Sequence, residues 1–241
     1  MTSQSLNTQT LHIAFWKKVV FVSLSAIAIA FAVSLSVESD APEISHDGLH
    51  LTPTDDVALL YLKPDADFSP YKRFVLLEAY VAFKKNWQRD TKVAGRRVSN
   101  KDMEKIKVEV AQLFQDSFKE VLETDGGYAF VDKADDDVLI LRPAIIDLDI
   151  TAPDIMVPGR VTQYVASSGA ATLYLEVFDS VSGEILARIV DRKRTRDSGY
   201  MQWSSSVSNR ADAKRMFKRW ATMLREGFDD LHSEAQAADK P

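Results

Sequence analysis

The sequence predicts an α+β fold: a largely antiparallel sheet of about five to six strands with two long amphipathic helices packed on it, preceded by one N-terminal hydrophobic segment. Three observations predict it. Residues 171–194 alternate as two arms about the turn Asp179-Ser180-Val181-Ser182-Gly183. Two stretches, beginning near Ser99 and near Asn209, repeat apolar residues every three or four positions. Val19 to Val37 is a run without a single charge. A hairpin with one apolar face needs further strands or a helix to cover it, and the periodic stretches supply the helices.

Residues 1–18 are polar and end in Lys17-Lys18. The run 19–37 comes close to the roughly 20 apolar residues that cross a bilayer. It also resembles a secretory signal core, with small residues at Ala30 and Ala32 or Ser34 and Ser36 for cleavage. The apolar run continues past Ala32, which favours a transmembrane anchor. On both readings the lysines stay in the cytoplasm and the remainder is exported. It is then anchored to the inner membrane with the domain in the periplasm, or soluble and periplasmic or secreted if cleaved. Residues 38–56 are polar and acidic, with Asp40, Pro42, Gly48 and Pro53, and read as a tether. Residues 57–232 form a single α+β domain, and 233–241 a flexible polar tail.

Inside that domain, Val57 to Leu62 is a short strand closed by Lys63-Pro64, and Phe74 to Phe83 a core strand. Ser99 or Asn100 caps the first long helix. Met103, Ile106, Val110, Leu113, Phe114, Phe118 and Val121 form its stripe, and Asp125-Gly126-Gly127 stops it. After a short strand at 128–131 and an acidic turn at 132–137, Val138 to Ile150 alternates as a long strand. Val138, Ile140, Ala144, Ile146, Leu148 and Ile150 share one of its faces. Pro143 cannot donate a ladder hydrogen bond and marks an edge or a bulge. Thr151 to Gly169 and Thr195 to Val207 show no period. In the central hairpin, Ala171, Leu173, Leu175 and Val177 face one way and Tyr174, Glu176 and Phe178 the other. The last helix carries Ala213, Met216, Trp220, Met223, Leu224, Phe228 and Leu231.

Composition narrows the chemistry. The 241 residues hold no cysteine, which removes disulfides, thiolate metal sites, a thiol nucleophile and a lipid-bearing cysteine. Setting Lys17 and Lys18 aside leaves 28 basic against 35 acidic residues. A mildly acidic body does not fit a nucleic-acid partner. No phosphate-binding loop, dinucleotide fingerprint, nucleophile elbow or zinc motif occurs, and no cofactor is expected.

Three groups remain as candidates. Arg188, Arg192, Lys193, Arg194 and Arg196 form a basic strip with Trp203, Tyr200 and Met201 close by. Such a strip suits an acidic protein, anionic lipid or cell-wall polymer, or it protects a sheet edge. Asp147 and Asp149, two apart on a strand, point the same way and with Asp154 offer oxygen ligands to a divalent cation; a solvated acidic face is the simpler reading. His46 and His50 lie four apart in the tether with no third ligand and read as solvated.

The segment Asp179 to Lys193, DSVSGEILARIVDRK, resembles a bacterial domain-of-unknown-function family, number 3313. Looser agreement extends over Val57 to Leu231, through Tyr61 to Tyr71, the Phe74 strand and Leu139 to Ala144. The resemblance implies an exported, usually lipid-anchored envelope protein, and it transfers no catalytic residue. Ser182 stands where the family often has threonine, and no lipobox cysteine is present. Asp179, Gly183, Glu184 and Asp191 are then expected to specify the hairpin, with Asp191 pairing to Arg192 or Lys193 of a neighbouring strand. The favoured function is non-catalytic binding of another envelope component through the 151–169 connection or the basic strip. A metal-assisted hydrolase using Asp147, Asp149 and Asp154 is the alternative, and a small-molecule or lipid carrier with a pocket between sheet and helices is the third.

Overall fold

The hairpin forms as its alternation requires. In the computed structural model, which describes residues 41–93, 96–150, 163–165, 169–194, 202–204 and 206–238, it is the centre of an eight-stranded sheet. The described strands are β1 (His50–Thr52), β2 (Leu59–Leu62), β3 (Arg73–Leu76), β4 (Tyr80–Phe83), β5 (Lys92–Val93), β6 (Arg96–Arg97), β7 (Ala129–Phe130), β8 (Val138–Ile150), β9 (Gln163–Val165), β10 (Gly169–Asp179), β11 (Ile185–Arg194) and β12 (Gln202–Ser204). The helices are a single turn α1 (Trp87–Asp90), α2 (Asn100–Leu122) and α3 (Ser206–Ala238). The main sheet runs β1-β2-β11-β10-β8-β3-β7, with β4 also pairing β8. Two small sheets, β5-β6 and β9-β12, stand apart from it.

The fold is α+β, with more strands than the five or six expected. The half built on β1, β2, β11, β10 and β8 is antiparallel. The other half is parallel: β3 and β4 both run alongside β8, and β7 alongside β3. The expected single strand 74–83 is therefore two, and Pro143 is the reason. The amide of Leu77 donates to the Leu141 carbonyl. In a parallel ladder the next bond would come from the amide of residue 143, and proline has none. β3 ends there, and β4 resumes pairing at Ala144. Pro143 thus sits in an interior strand, at the gap between two partners.

β8 also departs from its expected face. Both parities of VLILRPAIIDLDI are apolar, so period alone cannot choose. Leu139, Leu141 and Ile145 are fully buried on the core side, as is Val138 at the start of the strand. A bulge then lets Ile146 and Asp149 face Thr172 and Ala170, with two residues against Ala171 between them. Asp147 takes a left-handed backbone there (φ 51), which aspartate tolerates better than most side chains. Past the bulge the parity switches, and Leu148 and Ile150 turn inward.

α2 and α3 cover the face carrying Ala171, Leu173, Leu175 and Val177. Ser99 closes α2 with a capping box: its hydroxyl accepts from the Asp102 amide while the Asp102 carboxylate accepts from the Ser99 amide. The α2 stripe is as predicted, with Ala111, Ser117 and Leu122 added to its buried residues. α3 starts three residues before the expected Asn209 and continues to Ala238, beyond the Ser233 where a polar tail was expected. Its buried residues include Phe217 and Ala221 beside Trp220, Leu224 and Phe228. Where the sequence suggests a tether, Pro42 accepts a hydrogen bond from Tyr61, Leu49 is buried and β1 joins the sheet, so the folded unit begins well before Val57. No described helix is long and apolar enough to cross a membrane. The predicted anchor 19–37 lies outside the described residues.

Candidate functional site

The hairpin residues singled out by sequence hold the fold together. The Asp179 carboxylate accepts hydrogen bonds from the Val181 and Ser182 amides and the Ser182 hydroxyl through one oxygen, and from the Tyr71 hydroxyl (2.8 Å) through the other. Burial raises its pKa, but these hydrogen bonds outweigh that and leave it below the usual value. Gly183 takes the left-handed backbone at φ +71. Glu184 pairs with Lys63. Ser180 locks this turn to the acidic turn before β8, accepting from the Asp135 amide and donating to the Asp135 carbonyl. Asp191 pairs with Lys193 (3.1 Å) of its own strand, and it also accepts a 2.7 Å hydrogen bond from the Trp220 indole. This buried carboxylate therefore ties the sheet to α3.

The basic strip does not form one surface. Arg188 is buried on the face away from the helices, between Asp47 and Glu176, with its guanidinium 5.5 Å from the Tyr174 ring. Glu176 also takes Arg142, giving a charged row across β8, β10 and β11. Hydrogen bonds from Arg188 hold the Asp47 carboxyl far below the usual range. Arg192 is exposed on that same face, 3.8 Å from Asp147, whereas Lys193 points the opposite way. Arg194 ends β11 and Trp203 lies in β12, but neither side chain is among those described, and Arg196 lies outside the described residues.

The aspartates do not converge. Asp147 reaches toward Arg192 on the β11 side of β8, and Asp149 pairs with Lys84 beside β4 at 3.1 Å. Asp154 lies outside the described residues. Among those that are described, no three histidine or carboxylate side chains could hold a metal ion together. His46 is solvent-exposed, and His50 lies in β1, where its backbone belongs to the sheet. The connection 151–168 is outside the described residues except for β9, which pairs with β12.

The pocket between sheet and helices that the sequence offered as a third reading, without naming its residues, corresponds to a groove of about 1030 Å³. Seven strands side by side at about 4.8 Å span roughly 29 Å, and two helices about 10 Å apart cover some 20 Å of that. The apolar face of β2 and β11 runs out from under α3. Leu60, Leu62, Ala187 and Ile189 form the floor, Met223 and Leu231 the helical wall, and the 63–68 segment closes one end. Trp220 stands at the inner edge, held by Asp191. The volume is at the upper end of small-molecule pockets. The signal was present in the sequence as the apolar parity of the hairpin; what was missing was the order of the strands, which sets how far that face extends past the helices.

The comparisons with known proteins can be set against this geometry. A model of the family described as "Protein of unknown function (DUF3313)" matches residues 44–224. The chain belongs to this family. The match begins inside the segment expected to be a tether, in accord with the packing of Leu49 and β1. No curated protein matches in sequence. Among solved structures, the chain is similar to a Xanthomonas campestris protein of the DUF330 family (9% identity, TM-score 0.39, covering 73% of this chain and 93% of that one). It is similar to a putative neuraminyllactose-binding hemagglutinin homolog from Helicobacter pylori (12%, 0.36, 71% and 94%). A third likeness is to the PelC dodecamer from Paraburkholderia phytofirmans (8%, 0.32, 69% and 94%). At these identities and scores, none assigns a function to this family member.

Proposed function

We propose that this protein is a non-catalytic component of the bacterial cell envelope, exported behind residues 19–37, whose domain works by binding an apolar ligand in the groove between α3 and strands β2 and β11. The observation that carries this reading is the groove itself: an aliphatic floor on the sheet and an aliphatic wall on α3, in which Leu62, Ile189, Met223 and Leu231 stay only partly buried. A protein folding only for stability gains by burying such a surface. The basic strip is a weaker candidate, because Arg188 is consumed by Asp47 and Glu176.

The test is to isolate the full-length protein at native level from separated membrane and soluble envelope fractions and identify what travels with it by native mass spectrometry. Apolar compounds retained by the parent protein and lost from a Met223→Trp variant of unchanged melting temperature support the reading. An empty parent protein, or retention by the variant equal to that of the parent, removes it. The intact mass from the same preparation shows whether residues 19–37 are kept as an anchor.

A further inference from the structure

The rim of the groove restricts what can enter it. Five carboxylates stand around an aliphatic interior: Asp56 and Asp65 on the sheet side, and Glu226, Asp229 and Asp230 on α3. Of the described lining residues only Lys63 is basic, apart from His50, and Lys63 is already held 2.5 Å from Glu184. Asp229 is partly compensated by the Tyr128 hydroxyl and Arg225. Glu226 and Asp230 are exposed and have no ion-pair partner among the described residues. An anionic head group at this mouth would lie among like charges, while a cationic one would find charge complementarity at the low-dielectric edge of an apolar surface.

We infer that the groove selects an amphiphile with an apolar tail and a positively charged, amine-type head, and disfavours carboxylate, sulfate and phosphate amphiphiles of the same tail length. This inference rests on the binding reading above and names the ligand class for that site. The tail lies along Leu62, Ile189 and Met223, and the ammonium group sits between Glu226 and Asp230 on one side and Asp56 or Asp65 on the other. The volume, about 1030 Å³, suits a small amphiphile.

The test uses the full-length protein in nanodiscs of zwitterionic lipid and three photoactivatable alkyl probes of one chain length, bearing amine, sugar or carboxylate heads. Labelled positions are mapped by peptide mass spectrometry, which separates groove binding from adsorption to an acidic protein. The expected result is labelling of the 223–231 segment of α3 and of β2 or β11, at least several-fold stronger for the amine than for the carboxylate. The double variant Glu226→Lys, Asp230→Lys should reverse that order with the melting temperature unchanged. Equal labelling by all three heads, or preference for the carboxylate in the parent protein, overturns the head-group inference and leaves the binding reading standing. No labelling of the groove by any probe overturns both, and a dimeric mass in that case assigns the groove to a second copy of the chain.

Discussion

α3 has two flanks that meet the same sheet in different ways. On one side Phe217 packs edge-on against Phe114, which stacks on Phe118, and the space between α2, α3 and β10 is filled. On the other side Met223 and Leu231 face the groove across an apolar floor of equal quality. The residue types do not distinguish the flanks. The difference lies in cover: the sheet continues beyond β10 to β11, β2 and β1, and among the described residues no third long helix follows it. Unfilled apolar space is thus a product of topology here, and it can arise without a single unusual residue.

Four measurements sharpen or break that contrast. The largest effect is expected on the filled flank, where Phe118→Ala should lower stability by about 3–5 kcal/mol in urea unfolding, because the removed ring leaves a cavity. At the boundary, Trp220→Phe should cost about 1–3 kcal/mol, since Asp191 loses the indole donor while remaining buried. The sheet face opposite both flanks should respond to acid. The native Asp47 carboxyl is held below its unfolded value of about 3.9. Its contribution is therefore complete above about pH 4 and is lost as pH falls further toward the lowered native value. Between pH 5 and pH 3 the urea midpoint should fall less in Asp47→Asn than in the parent protein. The smallest effect belongs to the open flank: Met223→Ala should change stability by less than about 1 kcal/mol, because the groove already lacks atoms on that side. A loss as large as that of Phe118→Ala would show that the two flanks are packed alike.

Local features of this fold were legible in the sequence because local chemistry decides them. The Asp179 to Gly183 turn, the Ser99 cap and the stripe from Ile106 to Phe118 all depend on neighbours within a few residues. The parallel half was not legible, because pairing of β3 and β4 with β8 is a choice among distant partners. The break between them is written only as one proline in a third strand. The Asp147 bulge hid behind a run that is apolar on both parities, and it changes which partners Asp147 and Asp149 meet. Of the candidate site, the hairpin floor was legible as an alternating face. Its pairing with β2, drawn from before the first long helix, was not, and without β2 there is no groove to see.

That pairing also bears on how the chain folds and breathes. β10 and β11 are joined by a five-residue turn, and Ser180 fastens that turn to the one before β8, so these strands are held by comparatively local closures. β2 must return to β11 from the opposite end of the described chain, a closure that carries a larger entropic cost. Together with β1, which pairs with β2, it forms one margin of the sheet. Amide hydrogens of β1 and β2 should therefore exchange with solvent earlier than those of β8 and β10, through openings well short of global unfolding. Since β2 supplies part of the groove floor, such an opening would widen the entrance. The last piece to assemble would then also be the door.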